Sequence, residues 1–165
     1  MDEGYRREVK VGIADAAIVQ PPQSIATIGL GSCIGILLYD TCNKYTALIH
    51  IMLPDSTNFK VVTNPYKFAN LAIPLVLEQL KQMGSNKSNI IAKIVGGASM
   101  FKFLENNINS DIGQRNIVAV KEALEKENIK IIAEDVGGNK GRSMFVNSEN
   151  GKVTIKVVGI GIKEI

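Results

Sequence analysis

The sequence predicts an α+β protein in which mixed β-sheets are covered by helices. Many short runs of valine, isoleucine and leucine have the length and the bounding turn residues of strands. Two segments combine the apolar spacing of helices with suitable residues at their ends. Because strands and helices do not alternate regularly, a purely parallel α/β sheet is not expected. A chain of 165 residues suits one domain with a substantial core, so a single domain is expected over residues 1–165.

The first half of the chain is predicted to consist mainly of strands. They cover residues 8–20, as two short strands or one bent strand, and residues 24–28, 34–39 and 45–52. Turn residues at positions 40–43 separate the last two strands, which predicts a hairpin. The strand at 34–39 is almost wholly apolar, so it is expected to be buried.

The first helix is predicted after a loop over residues 54–63. Asn64 can cap its start, Pro65 fits the first helical position, and Gly84 fits the position after its end. Pro74 lies inside this helix and is expected to kink or thin it, because proline has no backbone N–H. The apolar residues with helical spacing are Ala69, Ala72, Ile73, Val76, Leu80 and Met83.

The second half is predicted to contain one more helix and four strands. Asp111 and Gln114 have the spacing of a capping box, and the helix is expected to run to about Glu127. Its apolar face consists of Ile117, Val120 and Leu124. Strands are predicted over residues 89–95, 129–133, 142–146 and 152–158. The pair Asn150-Gly151 favours a hairpin between the last two.

Composition excludes several classes of function. The chain is 45% hydrophobic and 21% charged, which is typical of soluble globular proteins. Its net charge is only +3, and its lysines do not alternate with aromatic residues, so nucleic-acid binding is not expected. No apolar run approaches the ~18–20 residues that span a bilayer, so membrane insertion is not expected. The charged start lacks an apolar signal core, which predicts a cytoplasmic protein with reduced cysteines.

A glycine-rich stretch, TIGLGSCIG, covers residues 27–35. A dinucleotide-binding turn needs the pattern Gly-x-Gly-x-x-Gly at the start of a helix. Here the third glycine falls one position late, at Gly35, and the residues that follow predict a strand. The Gly-Lys-Ser/Thr of a phosphate-binding loop is also absent from the sequence. We therefore expect no nucleotide cofactor.

Metal binding is a weak alternative. Cys33, Cys42 and His50, with Asp40 or Asp55, provide the residue types of a zinc site. Their spacing matches no zinc finger or ribbon, and the chain has no Cys-x-x-Cys pair. We therefore expect no metal. A thiol redox sensor, in which Cys33 and Cys42 form a disulfide, is a further alternative, although Cys42 lies in a polar turn and is expected to be exposed.

Nucleophilic chemistry is the sharper interpretation of the glycine-rich stretch. A reactive cysteine needs a base for its proton and hydrogen-bond donors for the oxyanion. His50 lies on the neighbouring predicted strand and can be the base for Cys33. A tight turn at Gly31 and Ser32 can direct backbone N–H groups inward as oxyanion donors. Thr27 can orient the imidazole through its hydroxyl or its carbonyl oxygen.

An ordinary structural role is the alternative for the same residues. A lone cysteine among glycine and isoleucine is most often an inert buried residue. A lone histidine on an apolar strand is more often a hydrogen-bonded core residue than a catalyst. Spacing alone therefore leaves the pair Cys33 and His50 open between catalysis and packing.

Taken together, the motifs of the chain resemble the CheD family, the chemoreceptor glutamine deamidases of bacterial and archaeal chemotaxis. The resemblance covers nearly the whole chain. It is carried by residues 27–35 (TIGLGSCIG), 50–54 (HIMLP), 96–100 (GGASM), 112–116 (IGQRN) and 135–142 (DVGGNKGR). Ile51 differs from many relatives, which have a bulkier aromatic residue there.

The resemblance implies a catalytic set and a reaction. Matched by motif, the family's catalytic cysteine, histidine and threonine are Cys33, His50 and Thr27. The implied activity is that of a protein-glutamine glutaminase, which converts receptor glutamines to glutamate through a thioester and without a cofactor. Hydrolysis of glutamyl methyl esters is a second implied activity.

The resemblance also implies a fold and partners. The expected fold is the cysteine-hydrolase fold shared with the catalytic domain of cytotoxic necrotizing factor toxins. The expected partners are the cytoplasmic helices of chemoreceptors and the CheC phosphatase. A module that acts mainly by binding and stimulating CheC is the alternative function.

Two further features of these motifs have structural interpretations. Gly96-Gly97 and Gly137-Gly138 are expected to form tight turns at strand ends. Arg115 and Arg142 are expected on solvated faces, with contact to acidic partner surfaces as the alternative.

Overall fold

The computed structural model describes residues 7–99 and 111–165, in which two five-stranded sheets are accompanied by two α-helices. The predicted α+β class with mixed sheets is therefore confirmed. The strands are β1 (Glu8–Lys10), β2 (Asp15–Val19), β3 (Ser24–Leu30), β4 (Ile34–Asp40), β5 (Thr46–Ile51), β6 (Ile90–Gly96), β7 (Lys130–Val136), β8 (Arg142–Asn147), β9 (Val153–Val157) and β10 (Gly161–Glu164). The helices are α1 (Ala69–Gln82) and α2 (Ile112–Lys126).

Both sheets mix parallel and antiparallel neighbours. The first sheet has the order β1-β3-β8-β9-β10, and its β1–β3 pair is parallel. The second sheet has the order β2-β5-β4-β6-β7, and its β6–β7 pair is parallel. The predicted hairpin of β4 and β5 forms the centre of the second sheet, with Gly35 opposite His50.

Strand β4 shows how the layers are arranged. Its seven residues are all buried. Ile34, Ile36 and Leu38 belong to a core shared with α1 and α2, whereas Leu37 and Tyr39 belong to a core shared with the first sheet. Because side chains alternate between the faces of a strand, β4 is covered on both sides. The order of layers is therefore first sheet, second sheet, helices.

The start of the first helix differs from the prediction. Asn64 does cap a helix, accepting a 3.1 Å bond from the Tyr66 N–H, but this helix is a single 3₁₀ turn, Pro65–Lys67. Phe68 is then extended, with φ −115° and ψ 132°, and α1 begins at Ala69. The prediction of one helix from residue 65 was wrong because Phe68 forms an isolated bridge with Leu53.

The remainder of α1 follows the predicted apolar face with one exception. Met83 was predicted to continue the helical spacing of apolar residues, but it lies beyond the last helical residue and is 39% exposed. Pro74 is accommodated inside α1. Gly84 has a φ of +109° directly after the helix, as its predicted role requires. The buried residues of α1 are Ala69, Ala72, Ile73, Val76, Leu77 and Leu80.

Helix α2 follows the prediction closely. The Asp111 side chain accepts a 3.1 Å hydrogen bond from the Gln114 N–H at its start. Ile117, Val120 and Leu124 are buried on one face. Gly113 lies against residues 97 and 98, where an added Cβ would be 2.5 Å from the Ala98 carbonyl oxygen. The absence of a side chain at position 113 therefore lets α2 pack directly on the backbone that follows β6.

Two parts of the strand prediction needed the tertiary structure. Residues 8–20 form two strands in different sheets, which agrees with the first of the two alternatives. Strand β10 was not predicted. All four of its residues are exposed, and it pairs with β9 at the edge of the first sheet. An exposed edge strand lacks the apolar alternation from which strands are predicted.

A pair of glycine substitutions tests the packing of the β8–β9 hairpin. Gly151 and Gly159 have φ of +72° and +74°, so alanine is strained at both. A Cβ at Gly151 would also lie 2.8 Å from the Tyr39 ring, whereas a Cβ at Gly159 has no neighbour within 4 Å. We expect Gly159→Ala to lower the free energy of unfolding by about 1–2 kcal/mol. Gly151→Ala should lower it by a further ~1–3 kcal/mol.

Chemical denaturation of the two variants beside the unaltered protein measures the difference. Equal losses would contradict the described contact between Gly151 and the Tyr39 ring.

Candidate active site

His50 lies between the two sheets. It is on β5, is fully buried, and stands opposite Gly35 of β4 in the strand register. The neighbours of His50 along β5, Ile49 and Ile51, belong to the core beneath the helices, so His50 points to the other face. That face packs on the first sheet, which contributes Thr27 from β3. The imidazole and the hydroxyl therefore meet through the packing of two sheets.

The Thr27 hydroxyl determines how the imidazole is protonated. Its Oγ1 lies 2.7 Å from His50 Nδ1 and 2.7 Å from the carbonyl oxygen of Val11. A hydroxyl has one proton, and a carbonyl oxygen can only accept. Thr27 therefore donates to Val11 and accepts from Nδ1–H. Of the two oxygens that the sequence analysis considered, the hydroxyl is the one that contacts the imidazole.

The other imidazole nitrogen is available as a base. With Nδ1 protonated, Nε2 has a free lone pair. Among the described residues, His50 Nε2 is buried and has no hydrogen-bond partner. Burial disfavours the charged imidazolium and lowers the pKa of His50 from 6.5 to about 4. The imidazole is therefore neutral at physiological pH and can accept a proton.

Gly35 makes the approach of Thr27 possible. A Cβ at this position would lie 2.9 Å from Met144 Sδ, 3.1 Å from Leu30 Cδ1 and 3.4 Å from Thr27 Cγ2. A side chain at position 35 would therefore push the first sheet away from His50. The last glycine of the TIGLGSCIG stretch thus has a packing role.

Cys33 directly precedes β4, two residues before the glycine that pairs with His50. It is partly buried and packs against the core between the sheets, which is the face of His50. Diagonal neighbours on one face of an antiparallel pair are about 7–8 Å apart, within reach of long side chains. Burial raises the pKa of the Cys33 thiol, and its own backbone N–H partly offsets this effect. The thiol is therefore neutral in the resting protein.

Three successive carbonyl groups anchor the turn before Cys33. The Gly31 oxygen accepts from the Ala98 N–H at 2.8 Å, and the Cys33 oxygen accepts from the Gly97 N–H at 2.8 Å. Between them, the Ser32 oxygen accepts from the Asn116 side chain at 2.9 Å. All three donors belong to the segment after β6 and to α2. The backbone of the turn is therefore held from one side.

This anchoring determines the direction of two backbone N–H groups. In a trans peptide the C=O and N–H groups point in opposite directions. The Ser32 N–H shares a peptide with the Gly31 oxygen, and the Cys33 N–H shares one with the Ser32 oxygen. Both N–H groups therefore point away from α2, and the Cys33 N–H points toward its own thiol. The turn at Gly31 and Ser32 therefore presents two backbone N–H groups on the side that faces away from α2.

The glycine pairs form turns beside the anchored segment, as predicted. Gly96, Gly97, Gly137 and Gly138 have φ of 118°, 69°, 85° and 70°. A Cβ at Gly96 would lie 2.3 Å from the Cys33 oxygen, so only glycine fits so close to the candidate nucleophile. The motif 96–100 extends to Met100, which lies outside the described residues.

Arg142 corrects a prediction. It was expected on a solvated face or at a partner surface, but only 5% of it is exposed. Its guanidinium donates to the carbonyl oxygens of Gly96, Asp135 and Gly137 and pairs with the Asp135 carboxylate at 3.4 Å. Arg142 therefore holds the two glycine turns together. Arg115 is exposed on α2, as expected.

Cys42 does not join the candidate site. Cys33 and Cys42 flank the seven residues of β4, which extend for about 20 Å at about 3.3 Å each. A disulfide requires Cα atoms within about 7 Å, so the disulfide alternative was wrong. Cys42 is exposed, as predicted. Over residues 7–99 and 111–165, no group of three or more His, Cys, Asp or Glu side chains could hold a metal ion.

Two contacts of the site were missed by the sequence analysis. The Val11 carbonyl accepts the Thr27 hydroxyl proton, and Asn116 reaches the turn from α2. No sequence pattern marks a backbone carbonyl such as that of Val11. Asn116 did have a signal, because a polar residue sits beside Ile117 on the apolar face of a predicted helix.

The fold and the site define the class of protein: an α+β protein with a candidate thiol, imidazole and hydroxyl between two sheets. A family model described as CheD chemotactic sensory transduction matches residues 52–157. A relative from Clostridium botulinum strain Eklund 17B, described as a probable chemoreceptor glutamine deamidase CheD, is 62% identical over 158 residues, 96% of this chain and 98% of its own. A relative of the same description from Clostridium acetobutylicum is 54% identical, covering 96% of both chains.

The chain therefore belongs to the CheD family. The family model begins two residues after His50, but alignments over 96% of the chain also span residues 27–50. A solved structure, the hypothetical protein YfiH of Bacillus licheniformis, has a TM-score of 0.44 and 13% identity, covering 79% of this chain and 59% of its own. That likeness is too distant to bear on fold or function. The similarity to cytotoxic necrotizing factor stays a prediction.

The single histidine of the chain allows a direct test of its protonation. Long-range ¹H–¹⁵N spectra should show the Nδ1–H tautomer at neutral pH, with titration near pH 4, where burial places the pKa. Thr27→Val, which removes the acceptor, should weaken the preference for this tautomer, whereas Thr27→Ser should preserve it. An Nε2–H tautomer in the unaltered protein would contradict the assigned hydrogen bond.

The lowered pKa of His50 also predicts a pH dependence of stability. Between about pH 6.5 and pH 4 the unfolded chain binds a proton at this histidine and the folded protein does not. Stability should therefore fall as the pH is lowered through this interval, by an amount on the order of 3 kcal/mol. His50→Asn, whose amide can still donate to Thr27, is the control because it removes this titration.

Denaturant unfolding at several pH values measures this effect. The carboxylates titrate in both the unaltered protein and His50→Asn, so their contribution to the pH dependence of stability cancels in the comparison. Equal slopes for the two proteins between pH 4 and 6.5 would contradict the buried neutral histidine.

Proposed function

We propose that the protein deamidates glutamine side chains of chemoreceptor cytoplasmic helices, with Cys33 as nucleophile, His50 as general base and acid, and Thr27 as the group that orients His50. The observation that carries this proposal is the protonation state of His50. Its Nδ1–H donates to Thr27, which leaves a buried Nε2 lone pair without a partner among the described residues. The descriptions of the relatives from both Clostridium species supply the substrate class, glutamines of chemoreceptors.

The first step follows from two neutral groups. Burial raises the pKa of the Cys33 thiol and lowers that of His50 to about 4, so a preformed thiolate–imidazolium pair is disfavoured. The thiol proton therefore passes to His50 Nε2 as the sulfur attacks the carboxamide carbon. Thr27 holds the ring through Nδ1 during this transfer.

The attack places a negative charge on the carboxamide oxygen. The donors proposed to stabilise this charge are the N–H groups of Ser32 and Cys33. The hydrogen bonds to the carbonyl oxygens of Gly31 and Ser32 orient these N–H groups. Because these groups are held by hydrogen bonds before substrate arrives, little reorganisation is needed. His50 then returns its proton to the amide nitrogen, which leaves as ammonia.

The second half of the reaction hydrolyses the thioester. His50 takes a proton from water, the hydroxide adds to the thioester carbon, and the Cys33 sulfur leaves and recovers a proton. The product is glutamate. A glutamyl methyl ester can follow the same course with methanol as the leaving group, so methylesterase activity is a second proposed reaction of this site.

The cytoplasmic faces of receptors require a cytoplasmic enzyme, which we propose as its location. No helix in the described part of the chain is long and apolar enough to cross a membrane. CheC is the partner that the resemblance implies, and we propose that it binds at the entrance to the Cys33 site.

Peptide masses test the proposed reaction. A purified chemoreceptor cytoplasmic fragment incubated with the protein should gain about one dalton for each glutamine converted to glutamate, because an amide is replaced by an acid. Cys33→Ala should abolish the gain. His50→Ala should lower the rate by about 10²–10⁴-fold, the usual contribution of general acid–base catalysis.

Cys42→Ala is the matched control for the nucleophile, because this exposed thiol lies at the other end of β4. It should leave the rate unchanged. No mass gain with several receptor fragments would refute the deamidase. If CheC still bound to that protein, the alternative function, a CheC-binding module, would be favoured.

A further inference from the structure

Asn116 is a buried polar residue on α2 with two hydrogen bonds that join separate parts of the site. Its Nδ2 donates to the Ser32 oxygen at 2.9 Å and to the Met52 oxygen at 2.9 Å. Ser32 directly precedes Cys33, and Met52 follows His50 by two residues. One amide group therefore connects the turn of the nucleophile to the strand of the base.

The orientation of this amide is determined by its partners. Both are carbonyl oxygens, which only accept, so the nitrogen must face them. Asn116 is fully buried, and its Oδ1 has no hydrogen-bond partner among the described residues. A buried acceptor without a partner is unfavourable by about 1–3 kcal/mol. The two donated bonds offset this cost, because they satisfy the carbonyl oxygens of Ser32 and Met52.

The effect of the bonds falls on the Cys33 N–H. Rotation of the peptide between Ser32 and Cys33 would turn the Ser32 oxygen toward the thiol and the N–H away from it. A carbonyl oxygen in that place would repel the oxyanion. The Asn116 bond holds the Ser32 oxygen on the α2 side and so keeps the N–H on the side of the thiol.

We propose that Asn116 is the positioning residue of the oxyanion site, which keeps the Cys33 N–H directed at the reacting oxygen. This inference rests on the proposed function, because it assumes attack of the thiol on a carbonyl group. It adds a role for the IGQRN segment of α2. Asn116 acts through the Ser32 peptide and does not contact the substrate.

Two probes of Cys33 separate this role from general stability. The first probe is a short peptide in which an aldehyde replaces the carboxamide of glutamine. The Cys33 thiol adds to the aldehyde C=O bond and forms a tetrahedral hemithioacetal. The sulfur bonds to carbon, the thiol proton moves to oxygen, and that oxygen occupies the oxyanion position. Iodoacetamide alkylates the same sulfur with loss of iodide and needs no oxyanion donor. A Cys42→Ala background restricts both probes to Cys33.

Asn116→Ala should weaken the aldehyde adduct and lower kcat for receptor deamidation by about 10²-fold, as removal of one oxyanion donor does elsewhere. KM and the rate of alkylation should change by less than about threefold, because binding and proton transfer to His50 do not use this donor. Asn116→Ser, which keeps one short donor, should lie between Asn116→Ala and the unaltered protein.

Leu124→Ala is the matched control. Leu124 is fully buried two turns further along α2, and its truncation lowers stability by about 2–5 kcal/mol without a contact to the turn. Adduct affinity and kcat should be retained in this variant. If Leu124→Ala loses adduct affinity as Asn116→Ala does, or if both Asn116 variants keep it, the positioning role is overturned.

The aldehyde also separates the two levels of the proposal. If the protein forms the adduct through Cys33 but deamidates no receptor fragment, the proposed function is refuted. The adduct affinities of the Asn116 variants still test the role of Asn116. A protein that alkylates at Cys33 but forms no adduct lacks an oxyanion site, and that result overturns the inference.

Discussion

The hydrogen bonds to the carbonyl oxygens of Gly31, Ser32 and Cys33 are the constraint on which the candidate site depends. Their donors come from the backbone after β6 and from Asn116 of α2. With the carbonyls held on one side, the peptide N–H groups must face the other, where the thiol lies. Buried backbone groups need partners, so anchoring and orientation are achieved by the same bonds. Two glycines serve this constraint: a Cβ at Gly96 would overlap the anchored Cys33 carbonyl, and a Cβ at Gly113 would overlap the backbone of residues 97 and 98, which supplies the donors.

The imidazole of His50 is neutral because its Nδ1 partner is a hydroxyl and not a carboxylate. An aspartate beside Nδ1 would stabilise the imidazolium and raise the pKa of the histidine. Thr27 has no charge and is itself committed to the Val11 carbonyl, so burial dominates and the pKa of His50 falls to about 4. The thiol beside it is kept neutral by the same burial. In the proposed reaction, proton transfer is therefore coupled to attack on the substrate. The resting cysteine carries little thiolate, which is the form that oxidants attack.

The layered fold explains why these groups come together. Thr27 belongs to the first sheet, whereas His50 belongs to β5 of the second sheet and Cys33 directly precedes β4 of that sheet. Gly35 allows the two sheets to approach, since a side chain there would meet Met144, Leu30 and Thr27. Helix α2 completes the arrangement from the opposite side of the second sheet through Asn116. The site is thus a property of all three layers.

The sequence by itself determined the elements that local forces specify: the buried run of β4, the capped helix α2, the hairpin turn at Gly151 and the glycine turns. Motifs and resemblance also led to the prediction that Cys33, His50 and Thr27 are the catalytic residues. Only the tertiary structure decided the interruption at Phe68, where pairing with Leu53 overrides the helical pattern, and the burial of Arg142 among backbone carbonyls. It also decided that the Thr27 hydroxyl contacts His50 and that Asn116 reaches Ser32. Those contacts join residues that are distant in the chain. Local propensity depends only on neighbouring residues, so it cannot predict them.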